Sequence, residues 1–438
     1  MGAAHIRPPH GARGGRRPPH PHGGALRRGH RRRHYRHRHR QFRTGRGDLS
    51  MSANKSAIVV GAGIGGLTAA IALRQVGIDV HVYERAAQIR SGGFGLSVMS
   101  NAIAALESLG IDLRLERHGR ALERYYVKDR RGRLLREFPF PEIIERVGAP
   151  SVCVGRADLL AALREYAADL PVTVGAAVER FEPIGDRVRV HFDDGRSADA
   201  DMLIGADGFH SAVRQQIAGP DERWHDSGYI VWLGITDYEH PRFAPGSVVH
   251  HWGDGMRFGL VDIGHGRLYW WGTKNMPLDR SRSWNGGKAE LLEEYSGWPD
   301  EVLTAIRVTA EENLISTNTR DRPFLERWGA GPVTLLGDAA HPMLTSLGQG
   351  AAMAIEDAVV LARHLEHATD IAAGLRGYED ARRERTRAIV ESTRAISDFE
   401  QSQGPIRRRI RDGYFRFMPH RTLVRKLEPA LTFPGVTA

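Results

Sequence analysis

Residues 56–85 read SAIVVGAGIGGLTAAIALRQVGIDVHVYER, and this stretch decides the fold of the front of the chain. Ile58-Val59-Val60 is a short apolar run suited to a buried strand, Leu67 to Val76 has helical composition, and Asp79 to Tyr83 reads as a second strand ending at Glu84. Between the first strand and the helix lies the turn Gly61-Ala62-Gly63-Ile64-Gly65-Gly66, a G-x-G-x-x-G pattern. Gly61 permits the tight turn, Gly63 lets backbone approach a pyrophosphate, Gly66 lets helix and strand pack closely, and the helix N-terminus presents amide hydrogens to the anion. Glu84 follows Gly61 by 23 positions, where a carboxylate accepts hydrogen bonds from a ribose diol. A glycine turn alone is a weak signal. Set between two strands with an acidic residue at this distance, it predicts a dinucleotide site at Gly61, Gly63, Gly65, Gly66 and Glu84, with Arg85 beside it.

This front end suits NAD and FAD equally, and two later segments choose between them. Residues 201–214 read DMLIGADGFHSAVR, a strand-like run followed by Gly205-Ala206-Asp207-Gly208 and then Arg214. Residues 333–357 read VTLLGDAAHPMLTSLGQGAAMAIED, another strand-like run followed by Gly337-Asp338 and a glycine-rich entry into an alanine-rich helix. In this order the three segments resemble the fingerprints of class A flavoprotein monooxygenases, whose relatives include aromatic hydroxylases, the urate hydroxylase, zeaxanthin epoxidase and tetracycline-inactivating enzymes. The resemblance spans residues 56–400.

The resemblance implies an α/β fold: a Rossmann-like FAD-binding domain of the GR2 type, an inserted antiparallel β-sheet substrate domain and C-terminal helices. Along the chain this means a leader over 1–50, an FAD-binding domain over 51–222 and 320–366, a substrate sheet over 223–319 and a helical region over 367–438. It also implies roles. Asp338 accepts from the ribityl chain of FAD, and Gly348, Gln349, Gly350, Ala351 and Ala352 form a helix N-terminus facing the flavin pyrimidine, where the positive dipole end favours negative charge. Arg156 lies near the cofactor, where a guanidinium pairs with phosphate or ribityl oxygens. Ser97 and Val178 match further cofactor-lining positions, and Asp207 with Gly208 matches the motif supporting FAD and a transient NAD(P)H. His341, after the Gly-Asp pair, reads as part of the turn rather than as a general base. The chain departs from the family at Thr345, where proline is common, in a loop approaching the reactive side of the flavin.

Between the second and third segments, residues 228–235, 256–260 and 268–272 are β-branched and aromatic runs separated by glycines, and they read as antiparallel strands. In the family such strands roof the flavin and line the substrate cavity, which makes Trp232, Arg257, Tyr269, Trp271 and Thr345 pocket candidates. Arg257 and Tyr269 match positions near the substrate of the urate hydroxylase. Aromatic residues in a sheet also serve as plain core, so these assignments stay open. Two helices are expected at about 348–366 and 374–402. The basic, aromatic segment after Gly404-Pro405 reads as a capping helix or as a surface for an anionic membrane, with Pro405, Gly413 and Pro419 as breaks against one long helix.

The formal net charge of +10 suggests an acidic partner, but it is unevenly spread. The first fifty residues hold 14 arginines, eight histidines and one acidic residue, leaving 48 basic against 51 acidic residues in the remainder. Such a leader has too little apolar surface to fold. It reads as an upstream extension, with Met51 as the expected initiator, or as a tether for nucleic acid or a membrane. One cysteine, Cys153, excludes an intramolecular disulfide and a cysteine-rich metal site. No metal, stable nucleic-acid partner or membrane span is expected, and the expected setting is a cytoplasmic monomer or homodimer. The resemblance implies a monooxygenase in which NAD(P)H reduces FAD, O2 adds at flavin C4a, and the hydroperoxide hydroxylates or epoxidises an aromatic or conjugated small molecule. The alternative is a reductase or dehydrogenase of the same fold that inserts no oxygen.

Overall fold

In the computed structural model, residues 55–89, 93–219 and 223–435 are described; the leader expected over 1–50 and the expected initiator lie outside them. Five strands form a parallel sheet in the order Val333–Leu335, Met202–Gly205, Ser56–Val60, Asp79–Glu84, Val172–Val174. Residues 57–60 and 202–205 are buried along their whole length, because both faces of a parallel sheet are covered. The helix Ile64–Gln75 leaves the glycine turn and packs on the helix Gly350–Glu366. Gly65 eases this approach, since a Cβ there would lie 3.3 Å from Ala354 Cβ on that helix and 2.9 Å from Leu336 Cδ2.

A second, seven-stranded sheet runs in the order Leu314–Asp321, His225–Asp237, Arg267–Asn275, Met256–Asp262, Ser247–Trp252, Arg124–Asp129, Leu134–Phe138. All its pairings are antiparallel except that between Ser247–Trp252 and Arg124–Asp129. The three runs singled out in the sequence are its centre. Its last two strands come from residues 124–138, inside the range expected for the FAD-binding part, because a parallel partner can arrive from anywhere earlier in the chain.

Strand alternation divides this sheet into two faces. On the outer face Ile230, Trp232, Phe258, Leu260 and Trp270 pack with Leu291, Val302, Ala305 and Ile306 of the helices Lys288–Glu294 and Asp300–Val308. Tyr229, Val231 and Leu233 lie on the inner face with Phe94, Tyr269 and Trp271.

The thirty-residue helix Ile371–Glu400 follows, its first turn capped by the Asp370 carboxylate, which accepts from the Ala373 amide at 3.1 Å. Two more helices, Pro405–Phe417 and His420–Leu431, close the chain. Gly413 does not break the segment as the sequence suggested. It sits inside Pro405–Phe417, and the break falls at Met418-Pro419. Glycine costs a helix only about 1 kcal/mol, whereas proline removes a donor and clashes with the preceding turn. Among the described residues no helix is long and apolar enough to cross a membrane.

Candidate active site

The glycine turn is locked onto the second motif. Gly61 has φ +102°, and a Cβ on it would lie 2.5 Å from the Ala206 carbonyl oxygen; a Cβ on Gly66 would lie 1.8 Å from the Gly61 oxygen. Glu84 is aimed by backbone: one carboxylate oxygen accepts from the Ala62 amide at 2.9 Å and the other from the Ala86 amide at 2.9 Å. The Ala176 amide donates to the Glu84 carbonyl at 2.9 Å, which brings the segment leading to Val178 alongside; Val178 itself is half-buried and pairs with Phe192. Arg85 is exposed next to it.

In the second motif, Asp207 Oδ2 accepts from the Ala212 amide at 2.7 Å, while Oδ1 is buried with no partner among the described residues. Burial raises the Asp207 pKa, against the lowering effect of Ser211 and nearby amides. Arg214, which the sequence reading noted only as the end of the motif, is buried and donates through Nη1 to the carbonyls of Ala339 and Ala340, at 2.9 and 2.7 Å. It thereby fixes the turn bearing Asp338. Asp338 is solvent-accessible although protein atoms crowd around its carboxyl. Its burial raises the carboxyl pKa, with His341 and Arg156 opposing. Arg156 opens the helix Arg156–Tyr166, is exposed, and its amide donates to Phe94 at 2.8 Å.

The helix Gly350–Glu366 begins at the buried Gln349, after Gly348 at φ +62°. Gln349 Oε1 accepts from Asn101 Nδ2 at 3.0 Å, and the same amide donates to Glu356 at 2.7 Å. Beneath lies a buried ionic cluster that the sequence did not signal. Arg382 bridges Glu356 at 2.6 Å and Asp357 at 2.7 Å, Arg385 reaches Glu356 at 2.7 Å, and His341 Nε2 meets Asp357 at 2.6 Å. Burial opposes ionisation of Asp357, but His341 and Arg382 outweigh it and hold the carboxyl at about 2. His341 thus belongs to this cluster, a partnership that its reading as a turn residue did not include. Ala351 is half-buried and Ala352 fully buried in the first turn. Ser97 Oγ lies 3.2 Å from Cys153 Sγ, whose burial pushes the thiol up to about 12.

The loop before this helix meets the inner face of the seven-stranded sheet. Arg257, buried, lies over the rings of Trp271 at 5.4 Å and Tyr229 at 5.7 Å. Its guanidinium is ion-paired with Glu400, donates to Gln401 at 2.8 Å and reaches Ser346 at 3.5 Å, which ties the sheet to the loop before Gly348. The Tyr269 side chain covers Gly95, where a Cβ would lie 2.3 Å from Tyr269 Cβ and 2.4 Å from its ring, and the Trp271 ring covers Gly259 at 2.2 Å. His250 meets Trp271 edge-on and Tyr125 at 2.8 Å; burial, then Arg257 and His251, lower its pKa to about 3, so it is neutral. Thr345 is exposed in the loop.

Trp232 does not join them. It is fully buried on the outer face against Trp284 and Tyr295, because its strand position is out of phase with Val231 and Leu233. Tyr229 and Glu400, absent from the sequence-based candidates, take its place. Tyr229 was legible from strand alternation once the inward phase was fixed; Glu400, 143 positions beyond Arg257, carried no local signal.

The front of this arrangement fits a dinucleotide. Cβ atoms on Gly63, Gly208 and Gly350 would meet nothing within 4 Å, so backbone lies bare at each of the three motifs, with an orphaned Asp207 oxygen and the accessible Asp338 between them. A family model described as FAD binding domain matches residues 54–393. The chain is 35% identical over 369 residues to the aurachin C monooxygenase/isomerase of Stigmatella aurantiaca, covering 84% of this chain and 95% of that protein. It is 36% identical over 347 residues to the FAD-dependent urate hydroxylase of Klebsiella pneumoniae, covering 78% and 89%. Its structure resembles that of Klebsiella pneumoniae HpxO complexed with FAD and uric acid, with a TM-score of 0.81 and 31% identity over 88% of this chain and 98% of that one. The three glycine-bearing motifs, the parallel sheet that presents them and the match across most of the chain have one meaning: this chain belongs to the FAD binding domain family of flavoprotein monooxygenases.

Proposed function

We propose that the protein is an FAD-dependent monooxygenase that uses NAD(P)H and O2 to oxygenate an uncharged aromatic or conjugated small molecule. The observation that carries this reading is the inner sheet face, where Tyr229 and Trp271 lie under an Arg257 ion-paired with Glu400, Tyr269 packs on the same face, and Arg257 reaches Ser346 in the loop before the helix that starts at Gly350. The parallel sheet with its glycine turn reads as the Rossmann-like, GR2-type FAD-binding part, and the seven-stranded sheet as the inserted substrate part. Gly61, Gly63, Gly65, Gly66, Glu84, Arg85, Ser97, Arg156, Val178, Asp207, Asp338 and residues 348–352 would hold the cofactor. Bound FAD supplies the redox chemistry that no side chain supplies.

The chain's own part is positional and electrostatic. The amides at 349–352 form a positive helix end facing the cavity. Glu84 is pre-aimed by two amides for a diol. Aromatic rings held over Gly95 and Gly259 make a flat, dry wall, which suits a planar substrate and keeps water from the reacting centre. His250, neutral and bonded to Tyr125, keeps that wall uncharged.

The test is isotopic. Purified protein supplied with NAD(P)H and a panel of neutral aromatic compounds is expected to incorporate one atom of ¹⁸O from ¹⁸O2 into a product. NAD(P)H oxidation stimulated by a compound that gains no label would replace this reading with a reductase or dehydrogenase.

A further inference from the structure

The C-terminal helix Pro405–Phe417 carries a feature that the oxygenation chemistry does not use. Ile406, Ile410, Tyr414 and Phe417 are 74%, 62%, 45% and 78% exposed, and three of them are the most exposed large apolar residues among the described ones. Single exposed apolar side chains are ordinary, but a contiguous row is not. At about 100° per residue these four positions fall within roughly 80° of one another, forming one stripe along the helix. Arg407 flanks the stripe on one side, and Arg409 and Arg416 on the other. The opposite face is anchored in the body: Phe415 packs on Trp252 at 4.7 Å, and the buried Arg411 lies over Trp252 and donates to the Glu400 carbonyl at 2.9 Å. Arg408 faces Asp254 and Arg411 faces Asp412, whereas Arg407, Arg409 and Arg416 make no ion pair among the described residues.

We infer that this stripe seats the protein on the surface of an anionic lipid bilayer. An apolar row bordered on both sides by arginines matches an interface whose outer layer is negative and whose next layer is hydrocarbon. A second copy of the chain is a poor occupant, because a two-fold contact through this helix sets arginines against arginines. Nucleic acid would use the arginines but leave the apolar row in water. The inference stands apart from the proposed oxygenation.

The test uses the full, FAD-loaded chain. The single native cysteine, Cys153, is buried with its thiol pushed up to about 12, so an added cysteine can be labelled selectively. Ile410→Cys carrying the polarity-sensitive dye NBD is expected to brighten about threefold or more on vesicles containing about one third phosphatidylglycerol, and to stay dim on pure phosphatidylcholine. The same dye at Val308→Cys, an exposed position in another helix, is expected to stay dim on both. Ile406→Asp combined with Phe417→Asp is expected to lower the apparent affinity for the anionic vesicles at least about tenfold while the flavin absorbance is unchanged. Three results would overturn the inference: vesicle binding with no brightening at position 410, which assigns binding to the arginine-rich leader; brightening that follows protein concentration without lipid, which assigns the stripe to self-association; or no change at all. The flavin absorbance reports on the FAD site independently of these outcomes.

Discussion

Replacing Arg382 with methionine tests whether the buried ionic cluster holds the helix Gly350–Glu366 in register. Arg382 is 1% exposed and bridges Glu356 and Asp357, themselves fully buried on the helix Gly350–Glu366. Methionine preserves much of the volume and removes the charge, leaving two adjacent carboxylates with only Arg385 and His341 to face them. Removing one partner of a buried pair costs about 3–5 kcal/mol. The Asp357 carboxyl gives an internal check: held at about 2 rather than the 3.8 of a free aspartate, it contributes about 2 kcal/mol at neutral pH. The sign of the pH dependence follows. In the native protein the folded pKa is depressed, so this contribution is fully present above the unfolded value of 3.8 and is lost only as pH falls toward 2. In Arg382→Met burial prevails and raises the carboxyl pKa values, so protonation relieves the variant as pH falls. Urea unfolding followed by tryptophan fluorescence should show a deficit of about 3 kcal/mol or more near neutral pH, shrinking by at least about 1 kcal/mol near pH 5. Asn101 and Gln349 are tied to Glu356, so FAD affinity should fall as well. A deficit below about 1 kcal/mol, or one equal at both pH values, would refute the assignment of stability to this cluster.

Two glycine substitutions should separate folding from cofactor binding. Gly66→Ala places a Cβ 1.8 Å from the Gly61 oxygen and is expected to yield unstable, colourless protein, whereas the Gly63 methyl meets nothing within 4 Å, so Gly63→Ala should match the native apoprotein in Tm yet bind FAD at least about tenfold more weakly. Glu400→Gln leaves Arg257 without its counter-charge, and flavin difference spectra should show the benzoate-to-benzamide affinity ratio rising by about tenfold; an unchanged ratio would contradict the neutralising role of Glu400. Trp232→Ala, in the outer-face core, should cost about 3–5 kcal/mol of stability with little effect on aromatic ligand affinity, while Trp271→Ala should weaken ligand binding with a smaller loss of stability.

The front of the site was legible because its parts are local. A turn that needs Gly61 and Gly66 at fixed spacing, and a carboxylate one strand later, are written within thirty residues, and the structure places Glu84 with its oxygens on the amides of Ala62 and Ala86. The seven-stranded sheet was legible as a sheet but not as a face. Trp232 and Trp271 look alike in sequence, and only the inward phase of each strand, set by what covers the other side, separates them. The strands at 124–138 were missed because their pairing with residues 247–252 is long-range and parallel. The ionic cluster and Glu400 were illegible for a related reason. In a helix rich in arginine and glutamate most charges are solvated, and the pattern of Asp380, Arg383 and Glu384 does not differ from that of Arg382 or Glu400 until the neighbouring helix and sheet are in place.

The helix Ile371–Glu400 connects these features. Tyr378 and Glu379 bond the edge strand of the parallel sheet, through Leu335 at 3.1 Å and Thr334 at 2.6 Å. Arg382 and Arg385 grip the helix Gly350–Glu366 one turn later, Arg394 pairs with Asp321 at the end of a strand of the second sheet, and Glu400 meets Arg257. At 1.5 Å per residue, Arg382 and Glu400 are about 27 Å apart along the axis, well beyond the roughly 10 Å within which substitutions usually couple. If each contact acts only on its own neighbours, the effects of Arg382→Met and Glu400→Gln on stability and on the benzoate preference should add. If the helix is a stiff rod that sets the distance between the helix Gly350–Glu366 and the seven-stranded sheet, loosening its middle should also free its end, and the double variant should show less than the sum. A double-mutant cycle read on both quantities decides between them. The buried contacts on both sides of Arg382 favour the rod: Tyr378, Thr386, Val390, Thr393 and Ser397 leave no exposed stretch on the inward side of the helix where it could bend independently.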